Sequence, residues 1–120
     1  MIQRQNDIFR LETRKTSYLF RITEHGHLEH IYYGARLPGC DIDPLLKKRV
    51  IQLGTSVLYD QADPTYCLDT LPLEWSGIGK GDYRHTPAEM KMPDGTFVAD
   101  FVYRTASIKG GPVPSETLPL

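Results

Sequence analysis

Two runs of apolar–polar alternation, separated by a glycine-centred turn, constrain this chain more tightly than any other feature of its sequence. In Ser17-Tyr18-Leu19-Phe20-Arg21-Ile22-Thr23, Tyr18, Phe20 and Ile22 fall on one side and Leu19, Arg21 and Thr23 on the other. After Glu24-His25-Gly26-His27, the run Leu28-Glu29-His30-Ile31-Tyr32-Tyr33 resumes the alternation and stops at Gly34. A period of two is the side-chain repeat of a strand; a helix would scatter the same residues around its axis. With β-branched and aromatic residues on both sides of a glycine, the pair reads as a β-hairpin. Ile8 to Thr13 carries the same signal, with Phe9 and Leu11 against Arg10 and Glu12.

The remainder of the chain repeats the pattern in shorter pieces. Ser56–Tyr59 and Thr65–Leu68 flank an acidic loop, Asp60 to Pro64. Leu71–Trp75 is short, and Pro72 restricts it to an edge or a strand end. Ala88–Met92 alternates, Pro93-Asp94-Gly95 supplies turn chemistry, and Thr96 to Ala106 is the strongest strand pattern in the second half. One stretch differs: Asp43-Pro44, then Leu46, Val50 and Leu53 on one face, with Gly54 as a stop, predicts a short helix near residues 44–53 with Asp43 as N-cap. Six or more short strands with frequent turn signals predict an all-β sandwich. The 120 residues, 40% hydrophobic and 24% charged, suffice for one domain with a real core. The apolar ending Leu118-Pro119-Leu120 suggests a piece of something longer.

Composition excludes several classes. Fourteen Lys and Arg against fifteen Asp and Glu leave a net charge of −1, which carries no footprint for nucleic acid or an acidic membrane. Apolar stretches run for only a few residues, too short to span a bilayer. The first residues lack the apolar core of a signal peptide, and the two cysteines, Cys40 and Cys67, make no disulfide framework. A reducing compartment, the cytoplasm, is the expected location.

Candidate chemistry is sparse. His25 and His27 with His30 have part of a zinc pattern, but Gly26 interrupts the strand and no third ligand has suitable spacing, so a solvated turn is expected and no metal. Gly77-Ile78-Gly79-Lys80-Gly81 lacks the spacing of a phosphate-binding loop and reads as a sharp reversal. Asp60, Asp63, Asp69, Glu74 and Asp82 are carboxylates of the type a glycosidase pairs, without a visible pair. Cys67, between Tyr66 and Leu68, reads as a small buried hydrophobe, and no nucleophile elbow is present. Tyr32, Tyr33, Tyr59, Tyr66, Trp75 and Tyr83 could stack on a sugar or fill a core. No cofactor is expected.

The run Leu68-Asp69-Thr70-Leu71-Pro72-Leu73-Glu74-Trp75-Ser76-Gly77-Ile78-Gly79-Lys80-Gly81-Asp82-Tyr83-Arg84 resembles the signature of the amino-terminal domain of glycoside hydrolase family 36 α-galactosidases. Thr16-Ser17-Tyr18, Gly26-His27-Leu28 and Ile31-Tyr32-Tyr33-Gly34 are similar to its opening hairpin, and Asp94-Gly95 with Asp100-Phe101-Val102-Tyr103 to its closing strands. Gly110-Gly111-Pro112 and Leu118-Pro119 are similar to its exit, with Gly111 where lysine is usual. The resemblance covers nearly the whole chain. It implies that residues 1–120 are a β-supersandwich domain, followed in the parent enzyme by a (β/α)₈ barrel and a carboxy-terminal β domain. It further implies a retaining hydrolase of terminal α-galactosyl groups in melibiose- and raffinose-type sugars. Both catalytic aspartates of the family lie in the barrel, one within Lys-Trp-Asp, a motif missing here. No catalytic residue is therefore expected in this chain. Family members are often tetramers, and in some the stretch corresponding to Leu37–Tyr66 reaches a neighbouring subunit's active site; Pro64 stands near where some members have arginine.

The expected role is thus a non-catalytic domain that packs on its own barrel and supports a homo-oligomer, with galactosides met only in the full-length enzyme. Tyr59, Tyr66 and Trp75 are the candidate substrate contacts, and Gly79, Gly81, Asp82 and Arg84 a structural motif. The rival readings are a stand-alone carbohydrate-binding module, which needs an exposed aromatic platform, and a purely structural interaction domain, which needs an apolar docking face.

Overall fold

The computed structural model describes residues 1–39, 42–46, 48 and 57–111. Its strands are β1 (Ile2–Gln5), β2 (Ile8–Glu12), β3 (Thr16–Ile22) and β4 (Leu28–Ala35). They form one antiparallel meander in that order. Each reversal has its own local chemistry. Asn6 takes a left-handed conformation, φ 54°, between β1 and β2, a region asparagine tolerates better than most residues. The Thr13 hydroxyl accepts from the Lys15 and Thr16 amides between β2 and β3. Gly26 turns the hairpin between β3 and β4 at φ 87°.

Register sorts the side chains into two unlike faces. Phe9 lies opposite Phe20, and Leu11 opposite Tyr18; the rings of Phe9 and Phe20 stack 4.8 Å apart. Between Leu19 and Phe20 the pairing with β4 slips, from Tyr32 to His30, leaving Ile31 as the extra residue of a bulge. The bulge brings Tyr33 and His30, three positions apart, onto the same aromatic face, each in ring contact with Tyr18. The opposite face holds the fully buried Ser17 and Leu19. Beside them lie the ion pairs Arg10–Glu12 and Arg21–Glu29, at 3.1 and 2.6 Å. A second apolar cluster gathers Tyr66, Leu68 and Leu71, with Tyr59 and Leu73 packed against it.

The all-β architecture expected from the sequence is the one found, and its described helical content is a single 3-10 turn, Asp43–Leu45. Ile42, not Asp43, caps that turn, so Asp43 sits within its first residues and Pro44 follows; most of the remaining residues of the helix expected over 44–53 lie outside the described residues. A larger difference concerns the second half of the chain. The described parts of Ser56–Tyr59, and Thr65–Leu68, Ala88–Met92 and Thr96–Ala106, are not strands. Leu71–Trp75 contributes one bridge, Leu73 to Glu29 on β4, framed by His30 N–H donating to Pro72 O and Glu74 N–H to Leu28 O. The other segments touch a neighbour's backbone at isolated points: Tyr59 N–H to Tyr66 O, Ala99 N–H to Ile78 O, Tyr103 N–H to Gly26 O. Alternation marks faces; a strand also needs a continuous ladder partner, and these segments have none among the described residues.

Candidate functional site

The glycine-rich loop is bolted by one arginine. The Arg84 guanidinium donates to both carboxylate oxygens of Asp82, at 2.9 and 3.1 Å, and to the carbonyls of Leu71 and Leu68, at 2.8 and 2.5 Å. Asp82 is buried. Burial opposes its charge, but the hydrogen bonds and charge of Arg84 outweigh that and hold its carboxyl below the usual aspartate range. Gly79 and Gly81 adopt φ of 95° and 84°, which a side chain would strain. A Cβ on Gly77 would lie 2.3 Å from the Ala99 carbonyl oxygen, well inside van der Waals contact distance. The loop therefore packs tightly against Ala99, Val98 and Val57, and its glycines serve turns and close approach rather than an open cradle for a phosphate.

A second polar assembly joins three separate segments. His27, expected in a solvated turn, is buried, 4% exposed. The reason is that the turn is covered by residues 59–66 on one side and 99–103 on the other. One ring nitrogen, Nε2, lies 2.8 Å from Asp100 Oδ1 and the other, Nδ1, 2.7 Å from the Tyr66 hydroxyl. The Tyr59 hydroxyl donates to the second oxygen of Asp100 at 2.7 Å. Thr23 Oγ1 lies 2.5 Å from the Tyr66 oxygen and accepts from the His27 amide. An ionised carboxylate only accepts, so Nε2 carries a proton. In the neutral ring Nδ1 then accepts from Tyr66, whose oxygen accepts from Thr23, and every donor is used. Burial opposes the Asp100 charge, but the bonds from Tyr59 and His27 hold its carboxyl below the usual range. The Asp100 contact and partial burial push the Tyr59 phenol up to about 12; burial does the same to Tyr66.

The three histidines do not converge. His25 faces Asp60 at 3.4 Å, His27 faces Asp100, and His30 faces Glu74 at 2.8 Å. Among the described residues no group of three His, Cys, Asp or Glu is placed to hold a metal. The candidate carboxylates are similarly dispersed among separate partners. Asp63 accepts from the Thr65 amide and hydroxyl and Asp69 from the Tyr83 amide. Glu74 takes the Tyr18 hydroxyl as well as His30. Cys67 is a buried free thiol; Cys40 lies outside the described residues.

The expected sugar contacts separate too. Tyr66 is 0% exposed and presents no ring face to a ligand, because its hydroxyl is drawn into the His27 assembly. Tyr59 packs edge-on against His25 and His27. Trp75 alone of the three is open, 45% exposed, edge to face with Phe101 at 5.7 Å. Together with Leu28, Val102 and Tyr103 they line an open groove of about 360 Å³. Phe97, Val98, Phe101 and Val102 are all exposed along the same segment. Sequence reasoning singled out Trp75 but not Phe101 and not Asp100, because a pattern of alternation does not say which face lacks a cover.

Residues 26–120 match the glycosyl hydrolase family 36 N-terminal domain model. The bifunctional α-galactosidase/sucrose kinase AgaSK of Mediterraneibacter gnavus is 31% identical over 93% of this chain and 12% of its own length. α-Galactosidase Mel36A of Lactobacillus acidophilus is 32% identical over 96% of this chain and 16% of its own length. In solved structures, the galactosidase domain of AgaSK superposes over 100% of this chain and 17% of its own, with TM-score 0.86 and 31% identity. The family 36 α-galactosidase AgaB of Geobacillus stearothermophilus covers 88% of this chain with 14% of its own, TM-score 0.73 and 28% identity. The chain thus spans 12–16% of the length of these two curated relatives, and by its family match, sequence identity and fold it belongs to the glycosyl hydrolase family 36 N-terminal domains.

Proposed function

We propose that this domain is the non-catalytic amino-terminal part of a retaining α-galactosidase acting on melibiose- and raffinose-type sugars, and that it packs on the catalytic barrel and supports a homo-oligomer. The observation that carries the docking role is the groove at Trp75 and Phe101. Its lining is entirely apolar or aromatic, and large side chains stay exposed along residues 97–102. Exposed apolar surface of that kind is characteristic of contacts with protein, membrane or ligand. A sugar site needs convergent hydrogen-bonding groups for hydroxyls as well as a ring to stack on, so the same lining speaks against an autonomous carbohydrate-binding module. The engagement of the candidate carboxylates by separate partners supports assigning the chemistry to another part of the enzyme.

A chromogenic α-galactoside decides the central claim. The complete polypeptide should turn it over and the 120-residue chain alone should not, at any attainable concentration. Turnover by the chain alone that disappears in Asp82→Ala or Glu74→Ala would refute it.

A further inference from the structure

Residues 97–104 have the side-chain order of a strand without its ladder. Val98 packs beside Gly79 and Val102 beside Gly26, while Asp100, between them in sequence, bonds His27 and Tyr59. The odd positions turn elsewhere. Phe101 meets Trp75 edge to face, and Tyr103 closes over Phe9 and Arg4. That is a period of two, the repeat of a pleated strand. The backbone is bonded along one edge. Ala99 N–H donates to Ile78 O and Tyr103 N–H to Gly26 O, at 2.9 and 2.7 Å. These two residues are also the ones in the segment that are not exposed. In a strand, the polar groups of every second residue share an edge, so 99 and 103 mark the inner edge and Val98, Asp100, Val102 and Arg104 the outer one. Among the described residues, no backbone partner meets the N–H or C=O of those four.

We propose that this outer edge seats one β-strand of the same polypeptide, supplied from outside residues 1–120, which pairs with the backbone of Val98, Asp100, Val102 and Arg104. The inference deepens the docking role given above and rests on it. Unpaired backbone groups recurring at every second residue call for a ladder, which a strand provides and a helix or an irregular surface does not. Both faces of the segment carry exposed apolar side chains, Phe97 and Phe101 on one and Val98 and Val102 on the other. A strand apolar on both faces is one that is covered on both. Residues 97–104 also contain no proline and no lysine, the residues that keep a permanently open edge from pairing. The source is the same polypeptide because this chain matches only 12–16% of the length of its curated relatives. Most of each relative's chain therefore lies outside the matched part and is free to return to this edge.

Two measurements on the complete polypeptide test this. In the unmodified protein, hydrogen–deuterium exchange resolved to single amides by electron-transfer fragmentation should show Val98, Asp100, Val102 and Arg104 slowed on the order of a hundredfold or more against unstructured rates. A benzophenone photocrosslinker at the exposed position 102, Val102→benzoyl-Phe, should join that site to a peptide outside residues 1–120 in a product of monomer mass. Unprotected amides at the four outer positions overturn the proposal even where that crosslink forms, because the face is then covered by something other than a paired strand. A crosslink of twice the monomer mass, which would identify a second copy, also overturns it, as does one confined to residues 1–120. Should the photocrosslinking variant fail to fold, exchange of the unmodified protein decides: protection must persist on tenfold dilution, and protection lost on dilution assigns the edge to a second copy. Failure of the docking reading itself has its own signature, fast exchange at all four amides together with no crosslink to the rest of the polypeptide.

Discussion

At residue resolution, the glycine-rich loop shows how a charge can be buried at little cost. Asp82 is surrounded, but the guanidinium of Arg84 meets both of its oxygens, and the remaining donors of that group find the carbonyls of Leu68 and Leu71. A bidentate pair of this geometry is worth more than a neutral hydrogen bond. Asp82→Asn should therefore lower stability by about 2 kcal/mol, seen as a fall in melting temperature on the order of 5–10 °C by circular dichroism, with sugar binding unaffected. An unchanged melt would assign Asp82 some other role. Gly77→Ala should act through sterics alone. The added methyl meets the Ala99 carbonyl, so the 97–104 segment must shift, and Trp75 fluorescence should change with it.

Among the elements, the β3–β4 hairpin is the piece on which the others are assembled. Its turn holds Thr23 and His27, its outer strand takes Leu73 and Glu74, and its bulge aims His30 at Glu74. Loss of one hydroxyl should register here. Tyr66→Phe leaves His27 Nδ1 and the Thr23 hydroxyl without their partner, at a cost of about 1–3 kcal/mol, measurable by urea titration. Acidification should act on the same joints. Asp82 and Asp100 have carboxyls held below their ordinary range. Groups of that kind stabilise fully above the unfolded pKa, about 3.9, and lose the contribution as pH falls through the depressed folded value. The melting temperature should be level from pH 7 to about 5 and drop below about pH 4, and Asp100→Asn should flatten that acid limb. An acid limb of the same steepness in the variant would place the linkage on other carboxylates.

For the whole molecule, the exposed surface along residues 97–102 and Trp75 matters most. On its own, a chain with such a face should find another copy of itself. The 120-residue chain should show concentration-dependent light scattering, and Trp75→Ser with Phe101→Ser should reduce it. A strictly monomeric particle with the native groove would favour an autonomous module. Val113 and Leu118 to Leu120, also apolar, lie outside the described residues.

The sequence by itself determined what depends on neighbours along the chain. The hairpin of residues 16–35, with its turn at Gly26, follows from alternation and a glycine. So does the turn at Pro93-Asp94-Gly95, where the Asp94 carboxylate accepts from the Thr96 amide. The family was legible in residues 68–84, because the tight loop there depends on glycines and an Asp–Arg pair at set spacings. Tertiary structure decided what depends on segments far apart in sequence. Thr96–Ala106 has the alternation of a strand, yet among the described residues it finds no partner edge and forms no ladder. His27 is hydrophilic and beside a glycine, yet is buried because Tyr66, 39 residues away, and Asp100, 73 away, both satisfy its ring. Tyr66 and Trp75 are alike as aromatic letters, but only one is covered. Cover is set by where the chain returns in space, and alternation carries no information about that return.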